Sequence, residues 1–320
     1  IMSDEYFIGV DLGGTKILAG VFDGNHNCLF TDKNKTKAEL GYLGVKERII
    51  ETIKGAVHLA GIGMASVKGV GIGAPGTISA DGCRVIFAPN LDWHEVPLKK
   101  DLEAELGCPV WLGNDCSIAT LGIHRHELNS KSDNMVCIFL GTGIGAGIIS
   151  NGVLLQGETQ AAGEVGHMVL DPDGPVCGCG VSGCYEAFAS RTAIYNKIKK
   201  AVENGKKTLL VDDDKNFTKI RSGKLRRAVE AGDKLAIKAL DETCFYSGVA
   251  IANLCNLLNP EVVALGGGMI EQLEETMLPK IKEAALNRIM PGARKVRIIA
   301  TKLGDDAGIT GAAVLARDHA

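Results

Sequence analysis

Twice in this chain an apolar run leads straight into a glycine turn and leaves it as a second apolar run. Tyr6 to Val10 enters Asp11-Leu12-Gly13-Gly14-Thr15-Lys16 and continues as Ile17 to Phe22. Met135 to Leu140 enters Gly141-Thr142-Gly143-Ile144-Gly145 and continues as Gly147 to Ser150. Short apolar runs bounded by glycine read as strands, so each is a strand–turn–strand frame. A dinucleotide-binding unit needs a helix directly after its glycine loop, and neither loop has one. The spacing Gly-x4-Gly-Lys-Ser/Thr occurs nowhere, which excludes a P-loop. Such turns can aim backbone N–H groups at an anion, and their small side chains let a phosphate approach closely. Either turn alone reads equally well as a plain hairpin. Two of them, together with Gly266-Gly267-Gly268, point to a nucleotide site.

Strands and helices alternate around these frames. Asp23-Gly24-Asn25 marks a hairpin turn before Cys28 to Phe30. Val45, Ile49, Ile50, Ile53, Val57 and Ala60 recur at helical spacing, and Val67 to Gly73 reads as a buried strand. Pro97 opens a helix over Leu98 to Leu106, and Val110 to Leu112 is another strand. Leu235 to Leu258 is a long helix that stops at Asn259-Pro260. Glu261 to Leu265 and Val296 to Ala300 are strands, and Ile309 to Leu315 lies in a closing helix. A length of 320 residues allows two domains at about 150 residues each. The pattern predicts an α/β protein with two lobes and a cleft between them. The N-terminal lobe is residues 1–115, joined by the C-terminal helix at about 305–320, and the larger lobe is 116–304.

A net charge of −3 gives no global field for nucleic acid or an anionic membrane. Residues 196–227 hold eleven Lys/Arg against four Asp/Glu and read as a solvated helix and loop, because aromatic or fold support for nucleic-acid contact is missing. No apolar run reaches the roughly 18 residues that span a bilayer. The start, Ile1-Met2-Ser3-Asp4-Glu5, lacks the basic and apolar regions of a signal peptide. A cytoplasmic protein with reduced thiols and a small-molecule substrate is therefore expected, without nucleic-acid or membrane partners.

Ten cysteines in a chain this long do not make a small disulfide scaffold. Three of them, Cys177-x-Cys179-x4-Cys184, lie among glycines that let the chain fold tightly round a centre. The spacing is tighter than the usual zinc pattern, and three thiols cannot all pair with one another. His167 would complete a tetrahedron, so a structural zinc and incidental buried thiols both stand as readings. The remaining seven, Cys28, Cys83, Cys108, Cys116, Cys137, Cys244 and Cys255, read as core. Glu164 and Glu186 flank the cluster. His58, His94, His124 and His126 read as surface or structural residues.

Asp11-Leu12-Gly13-Gly14-Thr15-Lys16, Leu140-Gly141-Thr142-Gly143-Ile144-Gly145, Glu164-Val165-Gly166-His167 and Cys177-Gly178-Cys179-Gly180-Val181-Ser182-Gly183-Cys184-Tyr185-Glu186 follow one another in this order. In these motifs the chain resembles the ROK family of sugar kinases and sugar-responsive regulators, within the two-lobed actin/hexokinase/Hsp70-like (ribonuclease H-like) ATPase fold. The resemblance runs from Asp11 to the 308–316 helix. It implies ATP held by Gly13, Gly14, Thr15, Gly141, Thr142 and Gly143, with Gly266, Gly267 and Gly268 beside the adenosine and Asp11 partnering Mg²⁺. Lys16 is either a phosphate contact or a surface charge. By the same resemblance Asn90, Asn114, Asp115, Glu164, His167 and Glu186 contact the sugar. His167, Cys177, Cys179 and Cys184 close around a structural Zn²⁺ that shapes the pocket.

Asp115 is then the general base for phosphoryl transfer from ATP to a sugar 6-hydroxyl. The family's common Asn-Asp-Ala-Asn departs here to Asn114-Asp115-Cys116-Ser117. Pro89-Asn90-Leu91-Asp92-Trp93 resembles the glucokinase version of the sugar-binding stretch, which favours glucose over an N-acetylhexosamine or fructose. Family regulators carry a helix-turn-helix domain ahead of the core. Here the first core strand begins by Tyr6, and Asp115 and both phosphate loops are retained, so an enzyme is favoured over a regulator or an inactive sugar-binding module. A homodimer or homotetramer is implied by the resemblance alone.

Overall fold

Burial on both faces sets the centre of the first sheet. In β1 (Tyr6–Leu12) every residue from Phe7 to Val10 is buried, as is Leu12, which is the pattern of a strand covered above and below. It pairs antiparallel with β2 (Lys16–Asp23), which pairs antiparallel with β3 (Cys28–Lys35). The β2–β3 turn is held by Asp23, whose carboxylate accepts from the N–H groups of Asn25 and Asn27 at 2.8 and 2.9 Å. The structure, a computed structural model, describes residues 5–211 and 220–320. Part of the basic stretch and most of the N-terminal leader reading lie outside the described residues.

Helix α1 (Gly41–Leu59) buries the stripe Val45, Ile49, Ile53 and Val57. Strand β4 (Val67–Ala74) then runs parallel to β1. A small antiparallel sheet follows, made of β5 (Thr77–Ile78), β6 (Val85–Ala88) and β7 (Trp93–Val96). Its strands are two to four residues long, too short to show alternation, and sequence reading missed them. Helix α2 (Leu98–Leu106) begins after Pro97 and ends at Gly107, whose φ of 69° is left-handed. Strand β8 (Val110–Asn114) lies parallel to β4 and completes the order β3-β2-β1-β4-β8, and α3 (Asp115–Gly122) follows at once.

A second five-stranded sheet uses β9 (Met135–Leu140), β10 (Ile144–Ser150), β11 (Val153–Leu154), and later strands β12 (Val262–Gly266) and β13 (Arg297–Ala300). Its order is β11-β10-β9-β12-β13, with β12 parallel to both neighbours. The helices of this half are α4 (Tyr185–Ala189), α5 (Arg191–Glu203), α6 (Ser222–Glu230), α7 (Lys234–Leu258) and α8 (Gly268–Leu286). Both glycine turns are shorter than the sequence implied. Asp11 and Leu12 already pair with Leu18 and Ile17, and Ile144 to Ala146 already belong to β10. Ladder pairing persists until the chain must reverse.

The last helix, α9 (Asp306–His319), lies against β1 and β4. A Cβ on Gly9 would sit 1.8 Å from the Ile309 carbonyl oxygen, and one on Gly71 1.8 Å from that of Ala312. These glycines serve close approach of helix to sheet, not turning. The chain divides into two compact units, Ile1–Asp133 with Gly147–Gly163 and Asp305–Ala320, and Asn134–Ala146 with Glu164–Gly304. Helix α3 packs backbone to backbone on α9: a Cβ on Gly311 would lie 1.8 Å from the Ile118 carbonyl oxygen. Of the seven cysteines read as core, Cys28 is exposed, at the start of β3, and Cys83 and Cys116 are only partly buried. The other four are buried. No helix among the described residues is long and apolar enough to cross a membrane.

Candidate active site

In the first unit the chemistry gathers where β1 and β8 end. Asp11, one residue from the end of β1, is pushed up to about 7, first by burial and then by the Asp115 carboxylate, with Lys16 pulling the other way. Gly308 of α9 closes over it: a Cβ there would lie 3.0 Å from the Asp11 Cβ and Cγ. Asp115 opens α3, and its Oδ1 accepts from the Cys116 N–H at 2.8 Å. A carboxylate in that position faces the positive end of the helix. Asn114 caps the same helix: its Oδ1 accepts from Cys116 and Ser117 N–H groups at 3.0 and 3.1 Å, and its Nδ2 donates to the Gly76 carbonyl at 3.1 Å. Most of its hydrogen-bonding capacity is thus committed to the fold, and one amide hydrogen remains for a ligand.

The first glycine turn reduces to Gly13-Gly14-Thr15. Gly13 N–H closes it on the Lys16 carbonyl at 2.9 Å, and Thr36 braces it by donating its hydroxyl to the Gly13 carbonyl at 2.6 Å. Asn90 lies against the turn, since a Cβ on Gly14 would be 3.3 Å from the Asn90 Cβ. Lys16 forms an ion pair with Asp305, at the start of α9.

In the second unit the Gly141-Thr142-Gly143 turn is clamped by the start of α5. Gly141 N–H closes it on Gly143, and the backbone N–H of Arg191 donates to the Gly141 carbonyl, each at 3.0 Å. The Thr192 hydroxyl donates to the Thr142 carbonyl at 2.7 Å, and the Arg191 guanidinium donates to the Thr142 and Ser222 hydroxyls. Sequence reading missed Arg191 and Thr192. The signal was Ser190, which caps α5 by accepting from the Ala193 N–H at 3.0 Å and so fixes where that helix begins. Gly267 has φ 85° and packs on the Leu140 backbone, where a Cβ would be 2.7 Å from the carbonyl oxygen. The glycine triplet is therefore held beside the second turn.

Glu186 joins that turn to the cysteine cluster. One oxygen accepts from the Ile144 N–H at 2.7 Å, and the other lies 3.8 Å from the Cys177 sulfur. A Cβ on Gly143 would approach the first oxygen to 2.4 Å. The donor atoms of His167, Cys177, Cys179 and Cys184 all lie within 4.8 Å of one another. His167 Nδ1 is 3.8 Å from Cys177 Sγ, and Cys179 Sγ is 3.7 Å from Cys184 Sγ. A zinc tetrahedron with Zn–S near 2.3 Å has S···S edges of about 3.8 Å, so the set fits that ion. The other ring nitrogen of His167 lies 4.0 Å from a Glu164 oxygen, a partner suited to fixing the imidazole's orientation.

A family model, the ROK family, matches residues 7–319 of this chain. The chain belongs to the ROK family. A glucokinase of Streptomyces coelicolor is 36% identical over 316 residues, covering 97% of each chain. The crystal structure of a ROK family glucokinase from Streptomyces griseus, in complex with glucose and AMPPNP, superposes with a TM-score of 0.83 at 35% identity, over 98% of this chain and 99% of that one. A xylose repressor of Caldicellulosiruptor bescii is 30% identical over 305 residues, 95% of this chain and 76% of the repressor. The fold of this ROK protein, α/β with two five-stranded sheets, is thus of the actin/hexokinase kind.

Proposed function

We propose that this ROK protein transfers the γ-phosphoryl group of ATP to the 6-hydroxyl of glucose, with Asp115 as general base. At the coarser level it is an ATP-dependent hexose kinase. The observation that carries the reading is the proximity of Asp115, at the mouth of α3, to the half-buried Asp11 near the end of β1, whose carboxyl it helps to raise. Asp115 accepts the hydroxyl proton as the oxygen attacks phosphorus, and the bond to the β-phosphate breaks with its electrons leaving on ADP. Gly13 and Gly141 use their own N–H groups to close the turns, so phosphate contact falls to the amides around Gly14, Thr15, Thr142 and Gly143. Asp11 would hold Mg²⁺, which when bound neutralises phosphate charge. His167, Cys177, Cys179 and Cys184 would hold Zn²⁺, a cross-link with no open position for water.

Asn90, Glu164, His167 and Glu186 are assigned to the sugar. The two glutamates are steadied by contacts in their own unit, Glu186 on Ile144 and Glu164 beside His167. A coupled ADP-release assay across glucose, mannose, N-acetylglucosamine, N-acetylmannosamine and fructose tests the reading. A clear preference for glucose supports it, and turnover of an acetylated sugar or of fructose alone replaces glucose as substrate. Sugar binding with no ADP release would favour a sensor, the role suggested by the likeness to a repressor.

A further inference from the structure

The first glycine turn is held by a residue that has no part in its motif. Thr36 follows β3 directly and is fully buried, although most of that strand is exposed. It grips the turn at two points. Its hydroxyl donates to the Gly13 carbonyl at 2.6 Å, and its backbone N–H donates to the Thr15 carbonyl at 3.0 Å. Thr36 is itself fixed by its neighbours. Before it, the Arg48 guanidinium of α1 donates to the Lys35 carbonyl, and after it Lys37 turns the chain with a left-handed φ of 53°. A peptide unit is planar and trans, so the Gly13 C=O and the Gly14 N–H point in opposite directions. By drawing the Gly13 carbonyl to itself, the Thr36 hydroxyl turns the Gly14 N–H to the other side of the turn. Two consecutive glycines make that grip matter, because their backbone rotates through conformations closed to other residues. Released from Thr36, the Gly13-Gly14 peptide is free to flip, and a flip replaces the donor by an oxygen that repels phosphate.

We propose that Thr36 is a positioning residue for the phosphoryl donor: its hydroxyl, by holding the Gly13 carbonyl, keeps the Gly14 N–H aimed at phosphate. The inference rests on the kinase reading above and deepens it, since that reading leaves phosphate contact to the amides around Gly14 and Thr15. A threonine hydroxyl has one hydrogen to donate, and here it is committed to Gly13. Thr36 therefore acts on the ligand through the turn.

Calorimetric titration of the full chain with ATP and with glucose, backed by steady-state kinetics and thermal melts, tests this in wild type, Thr36→Val and Thr36→Ser. Valine keeps the buried β-branched shape and loses the hydroxyl, whereas serine keeps the hydroxyl. Thr36→Val should bind ATP about tenfold more weakly, the loss of one hydrogen bond to a charged group, and bind glucose within a few-fold of wild type. The KM for ATP should rise with it while the KM for glucose does not. Thr36→Ser should recover most of the ATP affinity. Thr36→Ala serves as a second hydroxyl-free variant, held to the same outcomes as valine. Unchanged ATP affinity in the hydroxyl-free variants overturns the proposal. So does a loss shared equally by ATP and glucose, the mark of general damage to the fold, and so does a serine variant as weak as the valine one. Wild type that binds ATP but phosphorylates no hexose would overturn the kinase reading, and a selective loss of ATP affinity in Thr36→Val would still uphold the positioning role.

Discussion

Single atoms decide what Asp115 and Gly143 can do. Asp115→Asn keeps a group of the same shape at the start of α3 but cannot take the hydroxyl proton. Its kcat should fall by about 10²–10⁴-fold while glucose affinity stays within a few-fold. Steady-state kinetics with parallel calorimetry checks this, and near-normal kcat would remove Asp115 from the chemistry. Gly143 is a different case. Its φ is not left-handed, so the residue is not glycine for its turn angle. It is glycine because Glu186 Oε2 occupies the space a Cβ would take, 2.4 Å away. Gly143→Ala should therefore displace Glu186 from the Ile144 N–H and raise the KM for glucose as well as for ATP, each several-fold. A rise confined to ATP would show that the turn meets phosphate and nothing else.

Among the elements, α7 shows how a helix end is set by one side chain. Asp233 caps it, accepting from the Leu235 and Ala236 N–H groups at 2.9 and 3.0 Å and from the Thr208 hydroxyl at 2.6 Å. Burial alone would raise its carboxyl, but the bonds from Thr208 and from backbone N–H groups outweigh it, and the value falls below 3.8. Its contribution to stability is then present above the unfolded value and lost as pH falls through the folded one. Asp233→Ala should cost about 0.5–2 kcal/mol at pH 7. In urea melts at pH 7 and pH 3, the gap between wild type and variant should shrink at the lower pH. Equal gaps at both would mean that charge is not what Asp233 supplies. The helix itself was plain in the sequence from Leu235 to Leu258, because its apolar spacing extends over many turns. The sheet of β5, β6 and β7 was not, since its short strands are defined by their partners.

For the whole molecule, the cysteine cluster joins folding to the proposed active site through Glu186. Purified protein should hold about one zinc per chain. Cys179→Ser should lose it, because a serine hydroxyl does not readily supply the anionic donor that a thiolate does. Structural zinc contributes directly to folding, so the variant should melt at a lower temperature. Cys177 neighbours Glu186, and Glu186 holds Ile144, so metal loss should weaken ATP as well as glucose. Metal analysis, thermal melts and separate titrations of the soluble variant decide it. A zinc-free wild type would reject the site, and a metal-free variant with unaltered ligand affinities would confine the cluster to structure.

Local chemistry was legible along the chain wherever neighbours in sequence do the work. The two strand–turn–strand frames, the long helices and the spacing of the three cysteines are local patterns, set by backbone geometry, apolar period and donor type; the roles of His167 and of Asn114-Asp115 came through the family resemblance. What the chain could not show in one dimension is which distant groups share a space. Gly9 and Gly71 are glycines because α9 returns from the far end of the chain to lie on β1 and β4. Asp11 carries a raised pKa because burial and, after it, the Asp115 carboxylate act on it together. Glu186 reaches the Gly143 turn, and Arg191 reaches Thr142, across tens of residues of sequence. Those relations come from packing, which joins groups by distance in space. Composition and spacing measure only distance along the chain.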